Sequence, residues 1–569
     1  MIGQRAALLG TFLLVFLLLC GVAAPAKADP SLIVGLKSCP SASVVGSTGP
    51  FPNGAGGDMR AFLGVPYAAP PTGANRWLPP KKFCWSGQRD AGQAKSGCPA
   101  SYGGDEDCLY LNIFTPWKNG LTKMPVMVFI HGGALTSGSA FFFGQNPYNL
   151  VAKNVIVVLI DYRLGALGFL AHPALDNVAG QRTGNYGMLD QVAALKWIKA
   201  NIAAFDGDPN NITIFGQSAG GLSVLTHLVS PLSKGLFQKA IVESGSFYYA
   251  PTLLSAAETQ GKTFAANVGC GSGSSTAVAS CLRKLPVSTI VANQGVLGSS
   301  TSLIKQDGIV LKDSIKNLLV TGQFQKVPII NGSNHDEARF HLSTNAFGIG
   351  TGDMCHFASN LVPNAQANFS GAVKYSDAVT SLLSSNSPSL PALALKKYPS
   401  GATPLSANEA FAAIYTDRSF ACRQFRASKF IAGNGGKIWT YELNDQNAPV
   451  WSQGPLTVHG GAKMPYGDYH NAELQYIFPM PKTVACGLKY PGLSAAQKKL
   501  ANDMVIYWTT FAKTGDPNPT AGSKPPAWPK FTGATGKILS LVSAAPVSVA
   551  AKTFDTAHKC SSFWDKYTE

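Results

Sequence analysis

The chain has 569 residues, of which 46% are hydrophobic and 13% charged. Those proportions allow a sizeable buried core and exclude a disordered chain. The formal net charge of +16 could suit an anionic partner, but Lys and Arg are scattered and no aromatic nucleic-acid motif interleaves with them; the basic balance reads as solubility or weak surface adhesion, with no nucleic acid implied.

Residues 1–28 carry Arg5, an apolar run from Ala6 to Leu19, and Ala26-Lys27-Ala28 just before Asp29. This is the layout of a cleavable secretory signal, and Pro25 with the small-residue pattern disfavours a retained anchor. The mature chain, 29–569, is expected to be secreted or periplasmic and to carry no transmembrane segment. It shows no internal repeat and no long proline-rich or charge-rich linker, so one catalytic domain with insertions is expected. Stretches rich in Ser, Gly and Ala around 271–280, 380–392 and 400–408 read as surface connections. Of eleven cysteines, Cys20 falls within 1–28, and the ten that remain suit five disulfides in an exported protein. They form no CxxC and have no His at ligand spacing, so neither a metal nor a cofactor is expected.

Along the chain, Val126 to Ile130 reads as a buried strand with His131-Gly132-Gly133-Ala134 at its carboxyl end. Small residues there let backbone N–H groups approach an oxyanion, and open α/β sheets place their sites at that end. Ile212, Ile214 and Phe215 suit a second buried strand, which meets Gly216-Gln217-Ser218-Ala219-Gly220; Leu222, Leu225, Leu228 and Val229 then fall at helical intervals. A serine lifted onto a sharp strand-to-helix turn needs small neighbours on both sides, and Gly216 and Gly220 supply them. The pentapeptide alone is compatible with an ordinary glycine turn; its flanks argue for a nucleophile. Val327 to Asn331 reads as a third strand, followed by Asp336 and Glu337, either of which could reach the site. Ile438 to Leu443 reads as a fourth, and beyond it His470 lies in a loop entering a helix.

A serine hydroxyl is a poor nucleophile until a histidine takes its proton and a carboxylate orients that histidine. In this layout the order is serine, acid, histidine. The histidines downstream are His227, His335, His341, His356, His459, His470 and His558. Spacing alone does not choose among them, although His227 sits on the helix after the serine and is poorly placed.

Longer stretches carry a resemblance. They are Phe62-Leu63-Gly64-Val65-Pro66-Tyr67-Ala68, Glu106-Asp107-Cys108-Leu109-Tyr110-Leu111-Asn112, Asp161-Tyr162-Arg163-Leu164-Gly165 with Gly168-Phe169-Leu170, Gly184 to Gln191, Phe205 to Pro209, and Gly515 to Pro519. With them the chain resembles the type-B carboxylesterases, the cholinesterase-like group of the α/β-hydrolases. The resemblance implies an α/β fold of the α/β-hydrolase type, with a large, mostly parallel central sheet flanked by helices and carrying insertions. It implies Ser218 as nucleophile, Glu337 rather than Asp336 as acid, His470 as general base, and Gly133, Ala134 and Ala219 as oxyanion donors, acting on a small-molecule ester without a cofactor. Two positions depart from the family pattern: Ala338 stands where a Gly follows the acid, which bears on the loop's backbone, and Gln217 stands where a Glu precedes the serine, which implies a lost charge interaction rather than lost chemistry.

The resemblance also pairs Cys98 with Cys108, Cys270 with Cys281 and Cys422 with Cys560, and implies structural ion pairs Arg76–Glu106 and Arg163–Asp190. The pairing of Cys39, Cys84, Cys355 and Cys486 stays open; Cys39 with Cys84 and Cys355 with Cys486 is one arrangement that uses every thiol. In cholinesterases the loop matching Cys98–Cys108 is much longer and carries the aromatic that faces a quaternary ammonium. Here it is short and has no Trp, so choline esters are disfavoured and general carboxylic esters expected, with Phe141 to Phe143 as candidate apolar walls or simple core packing. A non-catalytic binding protein on the same fold is the alternative, which the presence of Ser218, Glu337 and His470 disfavours; hydrolysis of amides, carbamates or lactones stays open. Of the glycosylation sequons at Asn211, Asn331 and Asn368, the first two fall on expected buried strand ends.

Overall fold

The computed structural model describes residues 30–50, 58–117, 120–141, 146–176, 184–247, 250–298, 303–341, 374–401, 403–450, 456–457, 463–480 and 490–567. The proposed signal segment, Phe142, Phe143, Cys355, Asn368, His356, His459 and Cys486 lie outside them. An eleven-stranded sheet organises the chain. Its strands are β1 (Ser47–Pro50), β2 (Asp58–Pro66), β3 (Tyr110–Trp117), β4 (Met124–Ile130), β5 (Ile156–Ile160), β6 (Gly207–Gln217), β7 (Lys239–Glu243), β8 (Ile329–Asn334), β9 (Ile438–Leu443), β10 (Lys537–Leu541) and β11 (Val547–Ala550).

Their spatial order follows the chain except that β4 and β5 exchange places, so β4 lies between β5 and β6. From β5 across to β10 all neighbours run parallel. The antiparallel pairs stand at the two edges, β1 to β3 on one side and β11 on the other. Every residue of β5, β7, β8 and β9 is buried. This is the signature of parallel strands covered on both faces, and it explains why runs such as Ile156-Val157-Val158-Leu159-Ile160 show no polar alternation. The exchange of β4 and β5 is a topological switch, the point at which open α/β sheets place their sites, at the carboxyl ends of the strands.

Helices that flank the sheet or join its strands include α1 (Tyr186–Asn201), α2 (Ala219–Val229), α3 (Glu337–His341), α4 (Pro404–Thr416), α5 (Cys422–Gly433) and α6 (Ala495–Thr514). All eleven residues of α2 are buried, its polar Ser223, Thr226 and His227 being hydrogen-bonded within the interior. Helix α6 is delimited by local chemistry. The Ser494 hydroxyl accepts from Gln497 N–H while the Gln497 amide accepts from Ser494 N–H, and Gly515 closes the other end at φ 79°.

The expected surface connections differ from the structure. Helices occupy Ser275–Lys284, Tyr375–Leu383, Leu390–Lys397 and Pro404–Thr416. Ser274 and Thr403 are the N-caps of two of these helices, each side chain accepting a backbone N–H three residues on. A serine-rich stretch was therefore a helix start and not a loop. Four disulfides join described residues: Cys39–Cys84, Cys98–Cys108, Cys270–Cys281 and Cys422–Cys560. No helix among the described residues is long and apolar enough to cross a membrane.

Candidate active site

Ser218 stands between the last residue of β6 and the first of α2, at φ 59° and ψ −125°. A residue with a Cβ is strained there by about 1–3 kcal/mol and persists only where the surroundings enforce it. Three contacts do so. Ser218 N–H donates to the Glu243 carbonyl at 2.9 Å, tying the turn to β7. A Cβ on Gly216 would lie 2.6 Å from the Ile130 carbonyl oxygen, and one on Gly220 would overlap that same oxygen. A Cβ on Gly221 would lie 2.6 Å from the Glu243 carbonyl oxygen. The turn is thus wedged between β4 and β7, and Gly221 belongs to the requirement as much as the two glycines of the motif.

The Ser218 hydroxyl lies 2.7 Å from His470 Nε2, and His470 Nδ1 lies 2.5 Å from Glu337 Oε2. Glu337 opens α3, three residues past the end of β8, and its side chain is fully buried. Its other oxygen accepts from Asn334 N–H at 2.9 Å, which fixes the carboxylate plane. His470 N–H also donates to the Glu337 carbonyl at 3.3 Å. Asp336 points elsewhere, pairing with Arg339 at 3.0 Å. Ala338 sits inside the one-turn helix, donating from its N–H to Thr416 Oγ1 at 3.0 Å; helical backbone needs no glycine, so the departure there leaves Glu337 beside His470.

The turn after β4 closes the other side of the serine. A Cβ on Gly132 would lie 3.1 Å from Ser218 Cβ and 2.7 Å from the Gln217 carbonyl oxygen, so these backbones touch. Gly133, Ala134 and Leu135 have φ of 104°, 61° and 59°. The Gly133 carbonyl accepts from Thr136 N–H, Ser137 N–H and the Ser137 hydroxyl, which holds the turn rigid. His131 supports it from beneath, stacked on Tyr162 with its Nδ1–H donating to the Gly132 carbonyl at 2.7 Å. Burial lowers this imidazole to about 4, so it is neutral. Tyr102, from the short Cys98–Cys108 stretch, accepts from Gly138 N–H at 2.5 Å. That stretch therefore braces the turn instead of hanging over the entrance.

Several surrounding groups had no signal in the sequence. The ring of Phe420 lies 5.1 Å from that of His470, and the ring of His341 lies 5.0 Å from it. Phe420 belongs to a π-helical turn, Asp417–Ala421, joining α4 to α5; such turns recur at functional sites because the extra residue re-aims a side chain. Glu473, three residues after His470, accepts from Asn334 Nδ2 at 2.5 Å and from the Ser244 hydroxyl at 3.4 Å. Burial, and then the charge of Glu337, pushes its carboxyl up to about 7. Glu243 lies beyond it, taking a 2.7 Å bond from Trp508 of α6, and burial pushes it up to about 8. Gln217 places its amide nitrogen 3.5 Å from His470 Nε2. An uncharged neighbour there adds no further carboxylate to a pocket that already holds three.

The remaining described histidines do not meet the serine. His227 is locked between Ser233 and Gln191, and His335 and His558 meet Glu442. Arg76 forks onto Glu106 at 2.5 and 2.7 Å, and Arg163 onto Asp190 at 2.7 Å twice, both away from the serine. Phe141 packs edge-on against Phe114 of β3. Asn331 is buried and bonded to Gln424 and Ser428, which makes it inaccessible to glycosylation.

A hydroxyl, an imidazole and a buried carboxylate in line can pass a proton from oxygen to nitrogen while the carboxylate stabilises the imidazolium that results. A sequence model described as the carboxylesterase family matches residues 34–563. Among similar proteins are the fumonisin B1 esterase of Sphingopyxis macrogoltabida, 31% identical over 84% of this chain and 82% of its own length, and the cocaine esterase of Homo sapiens, 32% identical over 84% and 83%. Carboxylesterase 1C of Rattus norvegicus is 31% identical over 83% of this chain and 84% of its own length.

Proposed function

The chain belongs to the carboxylesterase family and is a carboxylic-ester hydrolase; on that premise we propose that it works through an acyl-enzyme on Ser218, with His470 as general base and Glu337 as the acid that orients it. The observation that carries the reading is the continuous chain Ser218 Oγ, His470 Nε2, His470 Nδ1, Glu337 Oε2, with separations of 2.7 and 2.5 Å.

Ser218 Oγ attacks the ester carbonyl carbon as His470 Nε2 takes its proton. The oxyanion faces the N–H groups of Gly133, Ala134 and Ala219, the last at the amino end of α2, where helix N–H groups lack intrahelical partners. Collapse expels the alcohol, which leaves with the proton from His470. Water, deprotonated in turn by His470, attacks the acyl carbon and releases the acid. Aimed donors of this kind are each worth about two to three orders of magnitude in rate.

Substrates are taken to be general carboxylic esters and not choline esters. The short Cys98–Cys108 stretch supports this, since it carries no Trp and its Tyr102 is committed to Gly138. The names of two relatives, which mention fumonisin B1 and cocaine, agree with non-choline esters. The reading includes export, which the composition of 1–28 and the four disulfides support. The test is hydrolysis of short p-nitrophenyl esters together with labelling by a fluorophosphonate. Wild type is expected to hydrolyse and to label once, and Ser218→Ala to do neither; turnover retained in Ser218→Ala would refute the acyl-enzyme on this serine.

A further inference from the structure

Away from the serine, among the described residues, one group of His, Cys, Asp and Glu side chains brings three ligand atoms within 4.8 Å of one another: His335, Glu442 and His558. Glu442, on β9, takes both imidazoles on one oxygen, with His558 Nε2 at 2.7 Å and His335 Nδ1 at 3.1 Å from Oε1. The other nitrogen of His558 meets Asp417 Oδ1 at 2.5 Å, and Asp417 Oδ2 accepts from the Tyr398 hydroxyl at 2.6 Å. Glu442 and His558 are buried, whereas the His335 side chain is 34% exposed. The group is therefore a rigid pair with one open side.

We propose that His335, Glu442 and His558 form a binding site for a divalent transition-metal ion of the zinc type, with water as the fourth ligand. Tetrahedral zinc sits about 2.0–2.2 Å from nitrogen and oxygen ligands, which puts ligand atoms roughly 3.3 Å apart. The observed 2.7 and 3.1 Å separations must open by about 0.6 and 0.2 Å, and the two imidazole nitrogens, which lie within 4.8 Å of each other, must come to the same spacing. Two imidazoles and one carboxylate favour zinc over calcium or magnesium, which take all-oxygen shells. Asp417 stands where a metal-binding histidine needs it, fixing the tautomer that offers Nε2 and raising the basicity of the ring. Charge also balances. Glu442 now faces protons on His558 Nε2 and His335 Nδ1; an ion of charge two that displaces these, while His558 keeps its Nδ1–H on Asp417, leaves two carboxylates, two neutral imidazoles and the ion, a neutral group. No local spacing announces the site, because its ligands come from the loop after β8, the interior of β9 and the C-terminal region. That is why cysteine and histidine spacing led to the expectation of no metal.

The experiment is equilibrium dialysis of the chelator-treated full chain against micromolar zinc chloride, with metal and protein quantified. One zinc per chain is expected. His335→Ala, at the exposed edge, is expected to weaken retention by two orders of magnitude or more. Asp417→Asn should weaken it about 10–100-fold, and circular dichroism reports whether each variant is folded. Absence of stoichiometric zinc in wild type, or retention unchanged in folded His335→Ala, overturns the assignment. Because binding is read without ester turnover, this result is independent of the role of Ser218.

Discussion

Gly220→Ala isolates what the tight turn contributes. The added methyl would overlap the Ile130 carbonyl oxygen and lie 2.8 Å from both the Ile130 carbonyl carbon and the His131 carbonyl oxygen. All three atoms are backbone, in or just after a strand paired on both sides, so none can swing away as a side-chain tip would. Ordinary contact at His131 alone requires a retreat of about 0.6 Å, and Ile130 requires more. Helix α2 must then rise off β4 and carry Ser218 with it. Overpacking of this kind costs about 1–3 kcal/mol, and a nucleophile displaced by about 1 Å loses roughly a hundredfold in rate. The assay is kcat/KM on p-nitrophenyl esters alongside thermal unfolding. The control is Gly435→Ala, which has φ 75° and open space around its Cβ; it should cost about 1–2 kcal/mol in backbone strain with no change in rate. Wild-type kcat/KM and stability in Gly220→Ala would refute the steric argument, and equal rate losses in both variants would show that stability alone governs activity.

Three further outcomes follow from the same geometry. Glu337→Gln removes the charge that holds His470, and kcat is expected to fall by roughly 10³–10⁴ with KM little changed; a loss under tenfold would return the role to another acid. Loop-entropy arithmetic gives about 3 kcal/mol for the ten-residue separation of Cys98–Cys108 and about 5 kcal/mol for the 138-residue separation of Cys422–Cys560. Paired Cys→Ala variants compared by urea unfolding should show that ranking, and only the Cys98 pair should also lower activity, through Tyr102 and Gly138. His558→Ala leaves Asp417 and Glu442 facing each other in a buried site, a loss of about 3–5 kcal/mol near pH 6. The folded-state shift of His558 is upward, from 6.5 to about 10, so its stabilisation is complete below 6.5 and fades as pH rises toward 10. That of Glu442 is downward, from 4.5 to about 2, so its share is present above 4.5 and fades as pH falls toward 2. The wild-type advantage over His558→Ala should therefore shrink between pH 7 and pH 10; a constant gap would contradict it.

Much was legible locally. The strand before Ser218, the helix after it, and the glycines between them form one short segment, and the requirement for close backbone passage is written in residue size. The strand Ile438–Leu443 was readable in its bounds for the same reason, as an apolar run with β-branched and aromatic residues. The third strand was displaced: Val327 to Asn331 was expected and Ile329–Asn334 observed, because Asn331, Ser333 and Asn334 are polar yet buried, and the Asn331 side chain and Asn334 Nδ2 meet partners far away in sequence. Likewise the serine-rich stretches concealed helices, since a capping serine and a loop serine look alike until the chain beyond is seen to pack.

By itself the amino-acid sequence determined the strand, turn and helix around Ser218, the glycine turn after β4, and, through its resemblance to a family, the pairing of Glu337 and His470 with that serine. Those features depend on backbone conformation and on motifs a few residues long. Only the tertiary structure decided what surrounds them: Asn334 on Glu337 with Glu473 behind it, Phe420 and His341 beside His470, Tyr102 against the turn after β4, and the meeting of His335, Glu442 and His558. Each of these joins residues from separate strands and loops, and burial and distance, which set their chemistry, exist only once the sheet has assembled.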